Sequence, residues 1–379
     1  MSKWPMVRLG DVCIINMGQS PSSESYNEEK NGIPFYQGNA DFGGIHPNVR
    51  FYCKKPTKIA HKNDVLLSVR APIGAINIAI EKCCIGRGLC AITEKENVSY
   101  YKYIYYVLKK GKSELIAKGT GSTFKAINKA NLLDIRIPLP PIDVQKHIAN
   151  TLDKTQEIID GHKKQLSELD SLIKAIFYEM FGDPVINGGR WKTVLLKEVL
   201  ISIKYGTSIP PDFSLTGYKF IRATNIKNGR INEEDMKFIS EEEGSKFEKC
   251  RLIGNEMIIV RSGVNSGDTC VISSEYAGHF AGYDLILEYN QNKVSPIFVN
   301  ELFNTNYMEK KIKPLTRRAA QPHLNSNQVQ SLQIILPPLN LQNEFAEIVT
   351  KIEEQKAVIR QAITESQDLV DSQMSKYFE

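Results

Sequence analysis

Ile135-Arg-Ile-Pro-Leu-Pro-Pro-Ile-Asp-Val-Gln145 and Leu332-Gln-Ile-Ile-Leu-Pro-Pro-Leu-Asn-Leu-Gln342 are two copies of one pattern, 197 positions apart. Each is a short apolar run, then a Pro-Pro pair that ends a strand and leaves a start position for a helix. The same offset holds without a gap to the end of the chain, pairing Ala149 with Ala346, Leu172 with Leu369, and Phe181 with Phe378. Upstream it drifts. Trp4-Pro-Met-Val-Arg-Leu-Gly-Asp-Val12 matches Trp191-Lys-Thr-Val-Leu-Leu-Lys-Glu-Val199 at 187, and Asp64-Val-Leu-Leu-Ser-Val-Arg70 matches Asn255-Glu-Met-Ile-Ile-Val-Arg261 at 191. The chain is thus an internal repeat whose globular halves have diverged while their tails kept register.

Each half reads as strands followed by one long helix. Val65, Leu67 and Val69 alternate with Leu66, Ser68 and Arg70, which suits a strand, and Met257–Val260 is a short apolar run. After Pro141 the spacing becomes heptad. Leu152, Ile159, Leu166 and Ile173 occupy one seam position, and Leu169 and Ile176 the other, with Thr155 and His162. The second helix offers Ile352, Ile359, Ile363 and Val370, interrupted by Lys356, Ser366 and Gln373. At about 1.5 Å per residue such helices run about 60 Å, and a lone one would expose its stripe. Mutual burial is the simplest answer. The linker Gly182–Arg190 reaches about 30 Å at most, so a second helix packed along the first runs back, antiparallel.

The expected fold is therefore α+β. Two strand-rich mixed domains (residues 1–140 and 183–337) are joined by two long helices (141–182 and 338–379) forming an antiparallel coiled coil with pseudo-two-fold symmetry. Gly161 costs about 1 kcal/mol of helix propensity and could mark a bend.

The 379 residues suffice for two cores. The opening MSKWPMVRLGDV has no apolar stretch of a signal peptide, and no run suggests a membrane span. Seven cysteines form no C-x-x-C pair. A cytoplasmic chain with free thiols and no membrane association is expected. The net charge of +5 is unevenly spread: Ile142–Phe181 carries 5 basic against 7 acidic residues, Glu344–Glu379 carries 4 against 8, and the rest 39 against 28. Basic globular parts suit phosphate contact.

Motifs of enzyme chemistry are incomplete along the chain. An amino-group DNA methyltransferase needs a polar residue before Pro-Pro and an aromatic after it, to hold the target amine. The pairs here stand as Leu139-Pro-Pro-Ile142 and Leu336-Pro-Pro-Leu339. Gly119-Thr-Gly-Ser-Thr-Phe-Lys125 lacks the Gly-Lys-Ser/Thr ending of a phosphate loop, and Gly86-Arg-Gly88 is too short for a dinucleotide fingerprint. The six histidines show no metal spacing. No cofactor, metal or catalytic residue is expected.

The repeated order resembles the DNA-specificity subunits of type I restriction–modification systems over essentially the whole chain. It is carried by Trp4–Val12, Asp64–Gly74, Cys84-Ile-Gly-Arg-Gly-Leu-Cys-Ala91, Ile135–Gln145 and Ser171–Asp183. The resemblance implies two target-recognition domains held apart by the helices. It further implies double-stranded DNA, two methyltransferase subunits and two restriction/translocase subunits as partners. In the second copy Val264-Asn-Ser-Gly267 and Phe280-Ala-Gly282 replace Gly74 and the Gly-Arg-Gly turn.

Base edges are read by forked and amide side chains, while phosphate contacts fix register. In the first half Gln19, Ser20, Gln37, Asn39, Ser68, Arg70 and Arg87 are candidates, with Thr120, Ser122, Thr123 and Lys125 for phosphates. Their counterparts are Thr207, Arg222, Thr224, Asn225, Arg261, Asn265, Arg317, Arg318, Gln321 and His323. The alternatives are a surface polar role for each, and for the chain a type II-like specificity subunit, a self-sufficient methyltransferase or a DNA-free scaffold.

Overall fold

A computed structural model describes residues 4–119, 125–316 and 323–378. The chain forms two compact units. One comprises residues 1–163 and 361–379, the other 164–360. Both are mixed α+β.

In the first unit an antiparallel sheet runs Cys13–Met17, Leu89–Glu94, Val65–Ser68, Ile76–Ile78. A second sheet orders Tyr26–Asn27, Phe51–Cys53, Ile33–Tyr36, Cys83–Ile85, Ile59–Ala60, with its Ile33–Tyr36 and Cys83–Ile85 strands parallel. Met6–Arg8 pairs with Arg136–Pro138, tying the start of the chain to the strand before the first long helix, Ile142–Phe181. The core gathers Leu9, Val12, Ile15, Val65, Leu67 and Ile92 around the helix Tyr101–Lys110, which inserts Tyr103, Ile104 and Tyr106. Two long-helix segments close it. Ile148 and Leu152 come from the first helix and Met374, with Val370 and Phe378, from the last turns of the second, Leu339–Phe378. Phe378 packs on Tyr103 at 5.5 Å between ring centroids.

The second unit repeats the layout. Leu200–Tyr205, Leu285–Tyr289, Met257–Ile259 and Thr269–Val271 form the antiparallel sheet. Phe213–Ser214, Lys237–Ile239, Tyr218–Ile221 and Phe280–Ala281 form the second sheet, again with one parallel pair, and Thr193–Leu195 pairs with Gln333–Ile335. Its core packs Phe177 and Phe181, from the end of the first helix, against Phe298 and against Phe345 from the start of the second. Trp191 Nε1 donates to Phe181 O at 2.8 Å, fastening the linker back on the helix.

The Leu-Pro-Pro-x-x-x-Gln pattern has a structural cause. Gln145 is fully buried; its Oε1 accepts from Tyr100 N (2.9 Å), and its Nε2 donates to Val98 O and Pro140 O (both 2.9 Å). Gln342, equally buried, accepts from Ser295 N (3.0 Å) and donates to Pro337 O (2.7 Å). One amide therefore satisfies the loop entering the domain's own helix and the start of the long helix together.

The strand match at offset 191 is corrected by one residue. Cys90 pairs with both Met17 and Leu67, and Leu285 with both Tyr205 and Ile259, which aligns Leu67 with Ile259 at 192. Asn63 and Asn255 then coincide, both left-handed (φ 73° and 68°). So do Asp64 and Glu256, whose carboxylates accept from His61 N and Ile253 N. Arg261 consequently stands in the place of Val69, and Ser262 in that of Arg70.

Along the long helices, Leu152, Ile159, Ile173 and Ile352 are buried, while Leu166, Leu169, Ile176, Ile359, Ile363 and Val370 are half-buried. Lys356 is buried on the seam, 2.5 Å from Asp170 Oδ1 and 2.6 Å from Glu353 Oε1. Helix runs through Gly161 without a break. All seven cysteines are buried and free, and burial pushes the Cys13, Cys83, Cys90 and Cys270 thiols up to about 12.

Candidate nucleic-acid interface

In the first unit six of the candidates line one polar cleft of about 440 Å³: Ser20, Gln37, Asn39, Ser68, Arg70 and Arg87. Three turns meet there. Gly18 allows the closest approach, because a Cβ on it would stand 2.2 Å from Gly86 O. Gln37 is held by its backbone: buried Asp41 accepts from Gln37 N at 2.6 Å and from Gly38 N at 3.2 Å. Arg50 Nε in turn donates to Asp41 Oδ1 at 2.6 Å. Ser20 Oγ accepts from Arg87 N at 3.2 Å. Among the described residues, the side chains of Gln37, Asn39, Arg70 and Arg87 make no hydrogen bond or ion pair. Amides and forks held on a fixed backbone with their donors free are what base-edge recognition requires.

Ser68 serves the turn instead. It is buried, and its hydroxyl donates to Arg70 O (3.1 Å) or Pro72 O (2.9 Å). Gln19 is exposed next to the cleft, and its carbonyl accepts from Thr57. Lys125 is exposed and lies beside Ala126, which bridges to Arg70. Thr120, Ser122 and Thr123 lie outside the described residues, as do Arg317, Arg318 and Gln321.

The second unit arranges its candidates differently. Strand pairing puts Arg222 where Gln37 stands, since Phe220 and Ile221 pair with Phe280 and Ala281 as Phe35 and Tyr36 do with Cys84 and Ile85. Asn225 takes the anchoring part of Asp41. Its Oδ1 accepts from Arg222 N (3.2 Å), its Nδ2 donates to Asn232 O (3.1 Å), and it is fully buried. Arg222 Nη2 donates to Asp235 Oδ2 at 3.1 Å and to the Asp235 carbonyl, while its buried Nε has no partner among the described residues. Thr207 caps its own turn through Ile209 N (3.0 Å), Thr224 is exposed, and Asn265 is half-buried.

Arg261 packs against two aromatic rings, with its Cζ 4.5 Å from the Tyr205 centroid and 4.3 Å from that of Tyr283. Its Nη2 is 3.1 Å from His323 Nε2. Its backbone N–H donates to buried Asp284 at 3.1 Å, and burial lifts that carboxyl to about 6 against the pull of Arg261. Sequence reasoning missed Tyr205, Tyr283 and Asp284. The signal was available: Gly206 meets Gly282 as Gly18 meets Gly86, so Tyr283 follows its glycine as Arg87 does.

Among the described residues there is no cluster of metal-ligating side chains, and no helix is long and apolar enough to cross a membrane.

A repeated α+β recognition module, each copy with a polar surface site and a long helix, defines the class. The model of the type I restriction modification DNA specificity domain matches residues 1–171 and again 189–366, and the chain belongs to this family as a specificity subunit. It is 23% identical over 374 residues to the type I restriction enzyme MjaVIII specificity subunit of Methanocaldococcus jannaschii, covering 92% of this chain and 86% of that one. It is 44% identical over 176 residues to the putative MjaX specificity subunit of the same organism, covering 46% of this chain and 41% of that protein. A crystal structure of the type I restriction–modification S subunit from M. genitalium matches all of this chain and 96% of its own, at TM-score 0.66 and 16% identity, a likeness of fold.

Proposed function

We propose that the chain is the non-catalytic DNA-reading subunit of a type I complex, each half reading one half-site of an interrupted, asymmetric target. The observation that carries this reading is the pair of unlike sites on like scaffolds. Free forks and amides fill the first cleft, while a ring-stacked arginine marks the second. The recognition domains are residues 1–140 and 183–337, and the helices 141–182 and 338–379 form an antiparallel, pseudo-two-fold coiled coil between them. Its support is local: the first helix's opening turns meet the second's closing turns in one unit, and the reverse holds in the other. The acidic outer faces of the helices would dock two methyltransferase subunits and, for cleavage, two restriction/translocase subunits, in the cytoplasm.

The test is methylation mapping of a host with and without this chain, beside incubation of the purified chain with DNA and S-adenosylmethionine. An interrupted asymmetric motif that appears only with the chain and its partner supports the reading. Methyl transfer by the chain alone, or a continuous palindrome, overturns it.

A further inference from the structure

We propose that Arg261 is the residue through which the second half reads a guanine, its planar fork held edge-on by the rings of Tyr205 and Tyr283. This rests on the reading that the second half contacts DNA. Three other arginines of the second half pair with carboxylates: Arg222 with Asp235, Arg230 with Glu301 and Glu353, Arg251 with Glu248. Arg261 makes no such ion pair among the described residues, and its buried Nε has no hydrogen-bond partner there.

Its orientation is nonetheless fixed on every side. Two rings pack against the guanidinium, with their centroids 4.5 Å and 4.3 Å from Cζ. The rings themselves are surface groups, Tyr205 being 42% and Tyr283 43% exposed. An arginine can only donate, so His323 Nε2 must accept from Nη2. A neutral His323 then carries its proton on Nδ1 and donates to Ser262 Oγ at 2.9 Å. That leaves a restrained fork whose Nη1 has no hydrogen-bond partner among the described residues. Two acceptors side by side on one edge are what guanine presents through O6 and N7; adenine presents a donor beside an acceptor, and thymine one acceptor beside a methyl. In the first half Val69 occupies this position and is buried, so the device belongs to the second half alone.

The experiment uses the chain assembled with its methyltransferase partner on a duplex bearing the target found by methylation mapping. Each guanine of the second half is replaced in turn by 7-deazaguanine, which lacks N7. The wild type should lose on the order of 10-fold to 100-fold in affinity at one guanine. Arg261→Lys should lose a comparable amount on the unmodified duplex and become indifferent to the replacement, because a point charge cannot make the bidentate contact. Should that variant fail to assemble, Tyr283→Ala should weaken binding where Tyr283→Phe does not. An Arg261→Lys complex that binds like the wild type and keeps its 7-deazaguanine sensitivity would mean a phosphate contact and overturn the proposal. Indifference of the wild type to every second-half replacement would also overturn it, with the two-reader model intact. Altered preference in both halves would instead sink the two-reader model.

Discussion

At the scale of single residues the second site invests in buried charge. Asp284 is 2% exposed and its carboxyl is lifted to about 6. Between about pH 4 and pH 6 the unfolded chain has released this proton while the fold still holds it. Stability therefore falls as pH rises through that window and levels off above it. Asp284→Asn keeps a carbonyl acceptor for the Arg261 N–H. It should flatten that part of the profile and raise the stability of the second half by up to about 2–3 kcal/mol at pH 7. Denaturant melts at several pH values check this, and an unchanged slope counts against it. Arg222 invites a different expectation. Its Nη2 is already engaged by Asp235, so Arg222→Ala should relax preference in the second half only, and by less than loss of Arg261; methylation mapping of both variants makes the comparison. This commitment was not legible in the sequence, because Asp235 reaches Arg222 only through the turn after Arg230–Ile231.

At the scale of elements, buried polar contacts hold each long helix to its domain. Removing Gln342 leaves Ser295 N and Pro337 O unsatisfied in the interior. Gln342→Ala should cost about 1–3 kcal/mol, with Gln145→Ala alike, while the methylated sequence stays the same. A change of target with unchanged melting would contradict this. The charge network behaves otherwise. Arg230 joins Glu301 at 2.6 Å and Glu353 at 3.0 Å, and Glu353 joins Lys356. Lys356→Met removes one cation of the network, but Glu353 keeps Arg230 and Asp170 is exposed to water, so its cost should be small. Arg230→Ala leaves the buried Glu301 without its cation and should cost about 3 kcal/mol. Thermal melts of the two variants moving together would refute the distinction. The elements themselves were largely legible. Glutamines 197 apart do the same work because nothing between them and the helix can vary. The strand register was misjudged by one because alternation repeats every two residues, and the paired Val-Arg endings drew Arg261 onto Arg70. The left-handed Asn63 and Asn255 are the stronger marker. Heptad spacing likewise gave the apolar positions without their burial, since Leu166 and Leu169 are half-exposed.

At the scale of the whole molecule, two readers on a shared duplex face should hold half-sites about one helical turn apart, roughly 34–36 Å. In the proposed arrangement the bases between should be unread. Exchanging residues 183–337 for the equivalent domain of another specificity subunit should change one half of the mapped motif and leave the other half and its spacing intact. A new motif in both halves would refute independent reading.

The ring-stacked Arg261 differs from the free Arg70 and Arg87 in when its freedom is lost. In the proposed reading the first cleft stills its side chains as DNA arrives, at about 0.5–1.5 kcal/mol of entropy for each long chain immobilised. The second site has already surrendered that freedom on folding. Calorimetry on isolated half-sites should then find the entropic penalty of association concentrated in the first half. The second half should grip with less enthalpy offset, and it should set how long the complex stays on its site.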